Sequence, residues 1–105
     1  MNEFQVTQNG AQATIVLGEK LVSGNIPELK TEMKRLLGEG ITDLIVDCAG
    51  LVVLDSSGIG CLVAAYNSLS KVNGKLSIIH VSGDIHDLLC SMRLERRIHI
   101  EKSPE

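Results

Sequence analysis

Tryptophan is absent from this 105-residue chain, and its aromatic side chains are one Phe and one Tyr. With so few rings there is no stacking platform for single-stranded nucleic acid. The core has to be aliphatic, built from Leu, Ile, Val, Met and Ala. A basic excess is missing too: 10 Lys and Arg against 13 Asp and Glu leave a net charge of -3, so nothing draws in a phosphate backbone. Nucleic acid is excluded as an expected partner. No apolar run approaches the ~20 residues a membrane span needs, and Met1-Asn2-Glu3 opens acidic and polar, unlike the basic start of a signal peptide. A cytoplasmic domain without membrane insertion is expected. Cys48, Cys61 and Cys90 form no CxxC pair and lack metal-ligand spacing. They read as small hydrophobes in a reducing compartment, and neither a metal nor another cofactor is expected.

What is present fits one globular unit. The length is near the commonest domain size, 44% of residues are hydrophobic and 22% charged, and the mean hydropathy is +0.17. Residues 1–105 are read as a single domain with its core over about 4–100 and a frayed tail over 101–105. Phe4 and Val6 alternate with polar neighbours, Asn9-Gly10 is a type I′ hairpin signal, and Ala13, Ile15 and Leu17 resume the alternation. Two antiparallel strands follow, over about 3–8 and 11–17. Gly18-Glu19-Lys20-Leu21 leaves the sheet. Asn25 is expected to cap a helix that carries Pro27 in its first turn and Glu28 three residues after the cap. Ile26, Leu29, Met33, Leu36 and Leu37 form its stripe, ended by Gly38 and Gly40.

Leu44-Ile45-Val46-Asp47-Cys48 is too short for a helix and reads as a central strand buried on both faces or nearly so. Ile59, Leu62, Val63, Tyr66 and Leu69 mark a second helix, closed by Asn73-Gly74, and Leu76–Val81 is the next strand. Ser82 or Asp84 caps a third helix with the stripe Ile85, Leu88, Leu89 and Met92, and Ile98-His99-Ile100 is a last short strand. The order β-β-α-β-α-β-α-β makes this an α/β fold with a small mixed sheet, its parallel members joined by right-handed crossovers.

The chemistry concentrates at Asp55-Ser56-Ser57-Gly58-Ile59-Gly60, between the strand-like run Leu51–Leu54 and the second helix. Three readings compete. Asp55 or a serine can cap the helix, contributing ~1 kcal/mol. A nucleophilic serine would want a Gly-x-Ser-x-Gly frame, and neither serine is preceded by glycine; the candidate bases His80, His86 and His99 each have a simpler place, at a strand end, a helix turn and a strand face. Gly58-x-Gly60 also lacks the third glycine of a dinucleotide loop, Val63 standing there. A phosphorylatable switch is the third reading: about two added negative charges at a helix start change how a partner meets the surface while the helix dipole protects the fold.

Strand-Asp55-Ser56-Ser57-Gly58-Ile59-Gly60-helix, with Leu44-Ile45-Val46-Asp47 before it and Asn73-Gly74-Lys75-Leu76 after it, resembles the STAS domain of bacterial anti-sigma factor antagonists. The resemblance runs from about Phe4 to Ile100. It implies a small mixed sheet with helices packed largely on one face. It further implies that Ser56, beside Asp55 and Ser57, is phosphorylated by an anti-sigma factor that is itself a GHKL-type serine kinase. The unphosphorylated form would bind that kinase and free its sigma factor, and a PP2C-type phosphatase would restore it. The domain would be no enzyme, and Asp55, Ser56, Ser57, Gly58, Ile59 and Gly60 would form the partner surface.

Two positions depart from the pattern. The family often carries Gly-Glu-Leu-Asp where this chain has Gly18-Glu19-Lys20-Leu21, and glycine after the third helix where it has Met92-Arg93-Leu94. If Arg93 is left-handed it stores ~1 kcal/mol. A STAS module in another complex, either a transporter accessory subunit or a stressosome-like scaffold, is a second functional class. A small anion- or nucleotide-binding module using the helix start at Gly58 and Gly60 is a third.

Overall fold

The computed structural model describes residues 4–103. Seven strands and three helices follow one another as β1 (Gln5–Asn9), β2 (Gln12–Val16), β3 (Lys20–Leu21), α1 (Ile26–Gly38), β4 (Asp43–Asp47), β5 (Val53–Leu54), α2 (Ser56–Ser70), β6 (Lys75–Val81), α3 (Gly83–Ser91) and β7 (His99–Lys102). A short 3₁₀ turn, Leu94–Arg96, links α3 to β7. The main sheet has the order β1-β2-β4-β6-β7, and β3 and β5 form a separate parallel pair. Only β1–β2 is antiparallel in the main sheet; the other three pairings are parallel.

The parallel strands advance across the sheet in one direction, β2 to β4 to β6 to β7, and each step is joined by one helix. Right-handed crossovers taken in one direction put all three helices on the same face. Burial agrees. Ala13, Ile15, Leu44, Val46, Leu76 and Ile78 are buried on the helix side, while Thr14, Val16, Ile45, Asp47 and Ile79 on the other side are half-buried. The apolar run of β4 is therefore covered on one face, not two. Its central position comes from sheet order, and Ile45 contributes to an uncovered face.

Several local expectations shift. The hairpin loop is Gly10-Ala11, since Asn9 pairs with Gln12. Gly10 has φ +63° and Ala11 stays in the ordinary region, so one left-handed residue suffices and the turn has the sign pattern of type II′. The first strand begins at Gln5, and Glu3 lies outside the described residues. Lys20-Leu21 does leave the main sheet, yet it pairs with Val53-Leu54. Asn25 stands at the start of α1 without capping it through its side chain. Its amide oxygen instead accepts from the Val22 N–H at 2.9 Å, and its Nδ2 donates to the Lys20 carbonyl at 2.7 Å. It ties the loop after β3 together. The α3 cap is Ser82, whose Oγ accepts from the Ile85 N–H at 3.3 Å; only Ile85 and Leu89 of that helix are buried, with Leu88 and Met92 turned out. Glu101 and Lys102 belong to β7, and the Ser103 N–H donates to the Val81 carbonyl at 2.8 Å. The tail is ordered through Ser103, and 104–105 lie outside the described residues.

Candidate functional site

In parallel α/β units the helices start where the strands end, so the N-termini of α1, α2 and α3 gather at the carboxyl edge of the sheet. At this edge Asp55 breaks from β5 and adopts an extended conformation, φ -104° and ψ -178°, as the N-cap of α2. One carboxylate oxygen accepts from the Gly58 N–H at 2.9 Å; the other accepts from the Ser23 N–H at 3.2 Å, across from the loop before α1. A single side chain thus closes the first turn of α2 and locks the neighbouring loop to it.

That arrangement decides what the serines do not do. Ser56 and Ser57 are the first two residues of α2, both exposed, and Asp55 supplies the cap they might have supplied. Among the described residues neither hydroxyl is held by another group of the chain. The first turn of α2 also carries no acidic residue, whereas those of α1 and α3 carry Glu28 and Asp84. The positive end of the α2 dipole is left to Asp55 and to whatever binds from outside.

Gly58 is required by packing. A Cβ there would lie 2.5 Å from the Leu21 carbonyl oxygen and 2.7 Å from Leu54 Cδ1, so only glycine lets α2 start this close to the β3–β5 pair. Ile59 is buried beside it, and Gly60 is exposed with open space around it. Of the six residues of the corner, Asp55, Ser56, Ser57 and Gly60 reach the surface. Gly58 and Ile59 shape it from below.

The surface extends beyond the sequence motif. Ser57 and Gly60 share a shallow open depression of about 400 Å3 with Ser23, Ile26, Pro27, Lys30 and Cys61. Lys30 brings a basic side chain to the lining of the depression that holds Ser57. Nothing in the sequence spacing points to Ser23 or Lys30, because Ser23 reaches α2 from the loop after β3 and Lys30 from α1, which packs on α2. On the approach to the corner Val52 is 72% and Val53 44% exposed, so the end of this apolar run faces outward.

No histidine hydrogen-bonds either serine among the described residues. His80 Nδ1 lies 3.0 Å from Asp47 Oδ1, His86 packs against the Cys90 sulfur, and His99 Nε2 lies 2.9 Å from Glu101. The cysteines are free thiols. Burial, with the Asp47 charge adding to it, pushes the Cys48 thiol up to about 12; burial also raises Cys61, against an opposing pull from Lys30. Buried neutral thiols of this kind are poor nucleophiles and poor ligands. Among the described residues no group of three or more His, Cys, Asp and Glu is placed to hold a metal ion, and no helix is long and apolar enough to cross a membrane. Lys20 is exposed and serves the fold through its backbone carbonyl. Arg93 is left-handed, at φ 62° and ψ 25°.

A family model for the STAS domain matches residues 3–105, and the chain belongs to that family. The chain is 28% identical over 91 residues to an anti-sigma-B factor antagonist of Staphylococcus epidermidis, an alignment covering 87% of this chain and 84% of that one. Among solved structures, an anti-sigma factor antagonist from Mycobacterium paratuberculosis superposes with a TM-score of 0.83 at 16% identity, covering 97% of this chain and 85% of that one. The Bacillus cell fate determinant SpoIIAA in its phosphorylated form superposes with a TM-score of 0.77 at 19% identity, covering 92% of this chain and 89% of that one. At these identities the structural likeness establishes the fold.

Proposed function

We propose that this protein is an anti-sigma factor antagonist that acts by partner switching through Ser56. The observation that carries the reading is the division of labour at the start of α2: Asp55 makes the cap, so Ser56 is free to be modified without loss of helix structure. Unphosphorylated, the carboxyl edge around Ser56, Ser57 and Gly60, with the apolar shoulder Val52-Val53, binds a GHKL-type anti-sigma factor that is also a serine kinase, and its sigma factor is released. The anti-sigma-B factor antagonists and SpoIIAA, one of whose structures is of a phosphorylated form, support this reading.

A phosphate on Ser56 adds about two negative charges. Within the domain they meet the positive end of α2, worth ~0.3–1 kcal/mol at an exposed site, and the Asp55 oxygens are already occupied by two N–H donors. At the interface the same charges must be desolvated, which abolishes binding. A PP2C-type phosphatase then regenerates the binding form. The domain is the substrate in this cycle and has no catalytic role of its own.

Incubation with its cognate GHKL kinase and ATP is expected to add one phosphate, located on Ser56 by peptide mass spectrometry. Ser56→Ala is expected to abolish the addition while retaining kinase binding, and Ser56→Asp to lose kinase binding without lowering the Tm. Phosphate on another residue, or kinase binding that survives Ser56→Asp, would overturn the proposal.

A further inference from the structure

The connection from α3 to β7 holds a second cluster of unused chemistry. Three of the four arginines of the chain, Arg93, Arg96 and Arg97, fall within five residues there, and all are exposed. Arg35, the fourth, is satisfied by Glu32 and Glu39 at 2.9 Å each. Among the described residues the three corner guanidinium groups make no ion pair or side-chain hydrogen bond. Glu95, the acid within the turn, is exposed and forms no ion pair with them among the described residues. Because α3 runs back along the sheet, this corner lies at the opposite edge from Ser56.

Two further features distinguish it from an ordinary solvated charge run. Arg93 sits in the left-handed region, where glycine would be unstrained, so a long side chain is held there against the backbone preference. The arginines also line an open depression of about 380 Å3 together with Met92 and Leu94. Met92 is 50% exposed, and Leu88, one turn earlier on α3, is 37% exposed. Planar guanidinium groups suit paired hydrogen bonds to carboxylates, and an exposed Met beside a Leu is an adaptable apolar contact.

We propose that the α3–β7 corner docks a segment of a partner protein in which carboxylates alternate with apolar side chains, independently of Ser56. The complementary charge and the adjoining apolar pair select such a peptide. A nucleic-acid backbone is disfavoured by the overall charge of -3 and by the absence of a stacking ring at the corner.

The test is an amide-resolved NMR titration of the full chain with a synthetic dodecapeptide of alternating Glu and Leu, and with a control carrying Gln for every Glu. The acidic peptide is expected to shift amides between Leu88 and Ile98, and the Gln peptide to leave them in place. Arg96→Ser with Arg97→Ser is expected to weaken the acidic peptide by about tenfold or more, with the remaining spectrum unchanged. Arg93→Gly is expected to weaken it as well while raising the Tm, which separates lost binding from lost folding. Ser56→Asp is expected to leave the titration unaltered, so failure here and failure of the phosphorylation switch are separable. Absence of shifts, shifts elsewhere, shifts that survive the double substitution, or tighter binding of a short DNA duplex at the same amides would each overturn the proposal.

Discussion

Helices α2 and α3 begin in closely related ways and end up with different capacities. Each follows a parallel strand of the carboxyl edge, each is capped by a side chain in an extended conformation, Asp55 or Ser82, and each has glycine in its first turn. Ser82 accepts one N–H, at 3.3 Å. Asp55 accepts two, one of them from a different loop. The dipole of α3 is met inside the first turn by Asp84; that of α2 is met by the Asp55 carboxylate at the cap, and its first turn holds two free hydroxyls and no acid. In the proposed cycle, the α2 start can be modified because its structural demands are met by a residue other than the one presented. At α3 the cap and the charge are both built in, and nothing is left to add.

The comparison can be broken first at the glycines. Gly58→Ala forces a Cβ to 2.5 Å from the Leu21 carbonyl, an overpacking expected to cost about 1–3 kcal/mol. Gly83→Ala meets open space and is expected to be neutral or to stabilise by up to ~1 kcal/mol. Urea midpoints of the two variants measure the contrast, and equal midpoints would mean that α2 is free to move off the β3–β5 pair.

The caps come next. Asp55→Ala loses a cap and an inter-loop hydrogen bond and is expected to cost about 2 kcal/mol; Ser82→Ala loses a cap alone and is expected to cost about 1 kcal/mol. Equal losses would mean that the Ser23 contact contributes nothing. The far corner adds a third test: Arg93→Gly relieves a left-handed side chain and is expected to stabilise by about 1 kcal/mol, read as a raised Tm. The smallest effect is a charge exchange. Ser56→Asp should gain, and Asp84→Asn should lose, ~0.3–1 kcal/mol at low ionic strength, both shrinking as salt is added.

Much of this was legible in the chain. Period-2 alternation at Ala13, Ile15 and Leu17 and the helical stripe from Ile26 to Leu36 report burial on one side of an element, and the structure buries those residues. The polar corner before α2 was also legible, because Asp, Ser and Gly at a helix start have few other uses. Misreadings arose where two elements meet. Asn25 has the composition of a cap, yet its side chain serves the loop behind it. The Leu51–Leu54 run reads as strand-like, but only Val53-Leu54 forms a strand, paired with Lys20-Leu21, and Val52 and Val53 are exposed. Leu88 and Met92 fit the α3 stripe, but Leu88, between the buried Ile85 and Leu89, turns to the side of the helix, and Met92 lies past its last residue.

The α/β element order, the aliphatic core and the position of the serine corner follow from local periodicity, composition and capping chemistry, and so are written in the chain. Only the tertiary structure decided which residue of the corner carries the cap. That depends on Ser23 being brought to the second Asp55 oxygen by the β3–β5 pairing, across 32 residues of chain. The same pairing makes Gly58 obligatory, while the packing of α1 on α2 brings Lys30 to the depression that holds Ser57. Hydrogen bonds between distant segments have no period in the sequence, so their outcome had to be read from the fold.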